Sequence, residues 1–144
     1  MKRFFVVLLV CMMIVPSALA FDLDGYNNIA TTFGANALNK KTAQKIKSFT
    51  SYSQDDCTIS FEETGNDVTT IIIDGKGDSF IAYCCASFYL LDPSGDAKTD
   101  YGEFLAAYLM AHTTKDEYTY GETTNGIVFF IQPENNQFSF MVMK

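Results

Sequence analysis

Residues Cys57 to Ile73 read CTISFEETGNDVTTIII, and two strands are written in them. Cys57, Ile59 and Phe61 alternate with Thr58, Ser60 and Glu62, the period-two pattern of a strand with one covered face. Thr64, Gly65, Asn66 and Asp67 supply turn residues, and the β-branched run Val68 to Ile73 resumes the extended chain. A hairpin with one apolar face needs a second layer to lie on it.

The flanking sequence offers that layer. Upstream, Leu23, Tyr26, Ala30, Phe33 and Ala37 recur at steps of three and four, which places them on one face of a helix that Gly25 and Gly34 weaken. Lys40 to Phe49 reads as a short basic helix with Ala43, Ile46 and Phe49 inward. Downstream of the turn Asp74 to Gly77, Ser79 to Leu91 is apolar, small or aromatic almost throughout and shows no period. Its length argues for a helix capped by Asp78 or Ser79 and stopped by Asp92 and Pro93; a strand paired back across the turn is the rival. Phe104, Leu105, Tyr108, Leu109 and Ala111 form an amphipathic helix opened by the capping pattern Asp100 to Glu103. Ile127 to Gln132 and Gln137 to Met143 are a terminal hairpin around Pro133 to Asn136, with a weaker strand at Tyr118 to Glu122. The fold expected is α+β, an antiparallel sheet of four or more strands under helices.

Residues 61–72 and 120–131 align without a gap, sharing Glu63/Glu122, Thr64/Thr123, Asn66/Asn125 and Ile72/Ile131. Two α-α-β-β halves would produce this echo. So would turn chemistry alone, since hairpins reuse Thr, Gly and Asn.

The first 20 residues read as a secretory leader: Lys2 and Arg3, an apolar run from Phe4 to Val15, then Ala18-Leu19-Ala20 as a small-x-small cleavage site. The run is too short for a lasting span, so no stable membrane anchor is expected and the protein is read as secreted or periplasmic. One domain, residues 21–144, remains. It carries 17 acidic residues against eight lysines and no arginine, a net charge of −9. Such a chain repels polyanions and lacks the planar donor fork that bases and phosphates select, so nucleic acid and anionic lipid are poor partners.

Three cysteines follow the leader: Cys57, Cys84 and Cys85. In an oxidising compartment, parity predicts one disulfide, Cys57 to Cys84 or Cys85, and one free thiol; three small buried apolar residues are the alternative. The sole histidine, His112, stands in the last turn of a helix, where a cation suits the dipole; a hydrolase built on it is the least favoured reading. No Gly-x-Ser-x-Gly and no phosphate-binding glycine loop occurs, and no cofactor is expected. Asp92, Ser94, Asp96, Asp100 and Glu103 fall at positions one, three, five, nine and twelve of a twelve-residue stretch. That spacing resembles the calcium loop of EF-hands. Ala97 stands where the loop's turn takes glycine and Thr99 where the family has an aliphatic residue, so a polar loop leading into a helix is the simpler reading and calcium is not expected to bind.

The last two strands are apolar on both faces. Ile127, Phe129 and Ile131 oppose Val128 and Phe130, while Phe138, Phe140 and Val142 oppose Met141 and Met143. One face suffices for a core. The surplus residues Val128, Phe130, Met141 and Met143 are therefore the expected binding face of a non-catalytic interaction or inhibitor-type module with a protein partner. The alternative is a carrier holding a small apolar ligand between helices and strands. For the leader, amino-terminal sequencing of exported material is expected to read from Phe21, and an intact Met1 on cytosolic material would refute export.

Overall fold

The computed structural model describes residues 21–114 and 117–144; residues 1–20, on which the expected leader falls, lie outside the described residues. Helix α1 (Leu23–Thr32) opens the fold, and a 3-10 turn (Lys40–Thr42) leads into β1 (Gln44–Ile46), β2 (Phe49–Gln54), β3 (Cys57–Thr64) and β4 (Asp67–Gly75). Helices α2 (Gly77–Leu91) and α3 (Ala97–Thr113) follow, then β5 (Thr119–Glu122), β6 (Val128–Glu134) and β7 (Gln137–Met143). The architecture is α+β. Its strands form one antiparallel sheet in the order β1-β2-β3-β4-β7-β6-β5, so the last strand closes against β4 in the middle.

The register settles which face is covered. Tyr52, Ile59, Ile73, Phe140, Ile131 and Thr119 lie opposite one another across six strands; Thr50, Phe61, Ile71, Val142, Phe129 and Gly121 form the next row. All but Gly121 are buried, and the helices pack on this side. A Cβ at Gly121 would run into the Phe129 ring, so the glycine is what lets that ring lie flat over the edge strand. Helix α2 touches α1, α3, β3, β4 and β7. That enclosure accounts for its missing period, because a helix covered all round has no polar face to display. Four rings weld the layers: Phe88 of α2, Phe104 of α3, Phe129 of β6 and Phe140 of β7 all lie within 6.2 Å of one another, centroid to centroid.

Several expectations are corrected. Helix α1 stops at Thr32 rather than reaching Ala37: Gly34 turns left-handed (φ 98°), its N–H bonds Thr31 O at 3.1 Å, and Ala35 N–H bonds Ala30 O at 3.0 Å, a Schellman ending. Lys40 to Phe49 is not a helix. Lys47 takes a left-handed conformation (φ 57°) that turns β1 back onto β2, and Ile46 is exposed, so backbone pairing overrides a three-residue spacing too short to carry weight. Helix α3 starts at Ala97, capped by Asp96. The halves are not α-α-β-β: one helix and four strands precede α2, and the second half has two helices and three strands. About the β4–β7 centre, β3 answers to β6, whereas the 59-residue echo lays β3 on β5. The echo spans the two hairpin turns β3–β4 and β5–β6.

Cys57, Cys84 and Cys85, the candidates for a disulfide, are all buried free thiols in the structure. Burial raises each thiol's pKa, that of Cys85 to about 12. They pack as small apolar groups.

A polar brace ties strands to helices. The β2–β3 turn places Asp55 and Asp56 in the left-handed region, as type I′ hairpins require. The Asp55 carboxylate accepts the Asn36 backbone N–H (2.8 Å) and side-chain amide (2.7 Å), and lies 3.0 Å from the Tyr83 hydroxyl, which also reaches Asn36 O at 2.7 Å. The Asn36 bonds hold the Asp55 pKa down at about 2, below its usual 3.8. A depressed carboxylate stabilises the fold above its unfolded pKa and ceases to as pH falls through the folded value. Asp55→Asn is accordingly expected to lower the melting temperature by a few degrees near neutral pH. In a pH series of thermal melts, the gap to the parent should close between about pH 4 and pH 2.

Candidate functional site

The face of the sheet turned away from the helices carries the surplus apolar residues. Ile72, Met141, Phe130 and Tyr120 lie in one cross-strand row over β4, β7, β6 and β5; Thr70, Met143, Val128 and Glu122 form the adjacent row. Val128, Phe130 and Met141 are half-buried against their neighbours, and Met143 is exposed. Tyr120 stands out furthest, 71% exposed, Tyr118 is 63% exposed, and the Tyr118 ring meets Phe130 edge-on at 6.0 Å. A shallow groove of about 290 Å³ runs between Tyr118, Phe130, Gln132, Ser139 and Met141. Four strands at a spacing of roughly 4.8 Å make this patch about 15 Å wide. Patches of that extent are seldom left open without a use.

Apart from Phe49, the β2–β3 half of the same face is polar, and much of it satisfies itself. Ser51 and Ser60 hydroxyls lie 2.8 Å apart, and Thr70 donates to Glu62 at 2.8 Å. Such groups need no covering layer. The charges in the strand rows of this face are Glu62, Asp74, Glu122 and Glu134, without a cation among the described residues.

The other sequence-derived candidates fall elsewhere. The twelve-residue stretch is a clamp on the β5–β6 turn. Asp92 accepts Thr123 Oγ1 (2.9 Å) and Asn125 Nδ2 (2.7 Å), Asp100 accepts Thr124 N–H (2.7 Å), and Ser94 accepts Asn125 Nδ2 (3.1 Å). Asp96 caps α3 through Lys98 and Thr99 N–H, which with the Thr99 hydroxyl lowers its pKa, and Glu103 points out from the helix. Gly95 sits where any Cβ would strike both Asp92 and Asp100 at 2.6–2.7 Å. Among the described residues no group of three or more His, Cys, Asp or Glu is placed to hold a metal ion. The His112 ring packs against Tyr108 (4.7 Å) and Phe138 (4.6 Å), and no thiol or carboxylate among the described residues hydrogen-bonds it. Where a carrier would keep its ligand, between helices and aromatic strands, the space is filled by Phe88, Phe104, Phe129 and Phe140. The small cavity beside them, lined by Phe33, Cys85, Phe88 and Asp100, holds about 30 Å³, room for water and not for an apolar ligand.

Ile72, Tyr118 and Tyr120 were not among the residues expected on this face. Ile72 is hidden in an unbroken β-branched run, where parity cannot be counted until a neighbour fixes the register. The weak strand at 118–122 was the available signal for the tyrosines.

No protein-family model matches the chain, and no curated protein or solved structure is significantly similar to it.

Two adjacent rings on β6 separate the faces experimentally. Phe129→Ala empties a core position and is expected to cost about 3–5 kcal/mol in denaturant unfolding. Phe130→Ser removes a cross-strand contact only, worth about 1 kcal/mol. Equal losses for the two would mean that both faces are core.

Proposed function

We propose that this protein acts outside the cytoplasm as a non-catalytic module that binds another protein through the helix-free face formed by β4, β7, β6 and β5. The observation carrying this reading is the row Ile72, Met141, Phe130 and Tyr120, a flat apolar strip on the side of the sheet that no helix of the described residues covers. Flat apolar strips rimmed by polar groups suit protein surfaces better than small molecules, which need concave sites. The close packing of Phe88, Phe104, Phe129 and Phe140 favours this over a carrier that would hold its ligand at that place between the layers. The buried thiols, whose pKa values burial raises, favour it over thiol chemistry, because the thiolate is the nucleophile. Among the described residues no helix is long and apolar enough to cross a membrane.

A photo-cross-linking side chain at position 130 or 141, in protein recovered from its native extracellular medium, should yield an adduct of one defined mass. The same group at Leu109, exposed on the outer side of α3, should not. Equal labelling at all three positions, or none at 130 and 141, would defeat the reading.

A further inference from the structure

The two edges of the sheet are guarded differently. Edge strand β1 is three residues long and flanked by lysines, with Lys41, Lys45 and Lys47 exposed around it, the arrangement that discourages a further strand. Edge strand β5 has no such guard among the described residues. From Glu117 to Glu122 its charges are Glu117 and Glu122, and its largest groups are the exposed Tyr118 and Tyr120.

The ladder shows what β5 offers. Thr123 N–H bonds Ile127 O at 2.9 Å, which makes that pair a hydrogen-bonded one. Such pairs alternate along an antiparallel ladder, so Gly121 with Phe129 and Thr119 with Ile131 are the next. Tyr120 and Glu122 therefore turn their backbone N–H and C=O toward the open edge while their side chains stand on the helix-free face. An added strand would hydrogen-bond these groups, and every second side chain would extend the row Ile72, Met141, Phe130, Tyr120.

We infer that β5 is a strand-addition site for an extended segment of the partner protein in which apolar residues alternate and lysine or arginine flanks them. The sign of the charge follows from complementarity: Glu117 and Glu122 bracket the edge strand, and Glu62 and Asp74 lie further along the same face. The inference rests on the binding-face reading, naming the chemistry of its partner.

The probe is a seven-residue peptide alternating valine and lysine, added to the ¹⁵N-labelled mature domain. Amide exchange at Tyr120 and Glu122 should slow about ten-fold or more. Tyr120→Pro removes an outward N–H without breaking the ladder to β6 and should abolish the effect, while Tyr120→Val should keep it. Glutamate in place of the peptide's lysines should also abolish it. Absent protection, protection surviving Tyr120→Pro, equal protection by the glutamate peptide, or protection that grows with protein concentration alone would each overturn the inference, the last by pointing to a second copy. Should cross-links at 130 and 141 persist while the β5 amides stay unprotected, the face reading stands and the edge inference falls.

Discussion

Four phenylalanine rings, one each from α2, α3, β6 and β7, meet at a single point, and the arrangement of the second half of the chain follows from that contact. Each buried ring removes well over 100 Å² from water, so the cluster contributes on the order of 10 kcal/mol before entropy is counted. Alternation then imposes a consequence. With Phe129 and Phe140 turned inward, Phe130 and Met141 must turn outward, because successive side chains of a strand stand on opposite faces. The apolar outer strip is the geometric counterpart of the core.

The acidic residues serve the interior more than the charge count implies. Asp92 and Asp100 are buried beside the β5–β6 turn and accept its hydroxyl, amide and backbone donors. Burying a carboxylate is unfavourable unless it is hydrogen-bonded, and these bonds compensate. Asp55 does the same for the β2–β3 turn, linking it through Asn36 and Tyr83 to the helical layer. One hairpin turn is thus held by carboxylates set on a distant part of the chain, and the other by its own carboxylate reaching out to Asn36 and Tyr83. The ligand-like spacing between Asp92 and Glu103 is a by-product of one of these braces.

Once those carboxylates are engaged, the open face is left with a simple composition: apolar rows over β4 to β6, hydroxyls over β2 and β3, and a border of Glu62, Asp74, Glu122 and Glu134. Its outer limit on one side is an edge strand that carries Tyr120, the most exposed large apolar side chain of the described residues, with the exposed Tyr118 just before it. In the proposed binding reading, apolar area gives adhesion, the acidic border selects partners, and the free edge provides directional hydrogen bonds. The three act at adjoining places on one surface.

Local sequence determined the elements whose signal is local. The hairpin at 57–73, the terminal hairpin and the helix ending at Asp92 follow from alternation, turn residues and stop signals within a few positions, as does the surplus of apolar residues at Val128, Phe130, Met141 and Met143. Tertiary structure decided whatever depended on a neighbour distant in the chain. Residues 44–46 became strand because β2 was there to pair with them, against a helical spacing carried by three residues. Ile72 acquired a face only when β3 and β7 fixed the register of β4, since a β-branched run reads the same in either parity. Cys57, Cys84 and Cys85 became packing through burial, which a count of cysteines does not contain. Asp92 and Asp100 found Thr123, Thr124 and Asn125 more than twenty residues away, where hydrogen bonds depend on distances in space and the sequence records only separations along the chain.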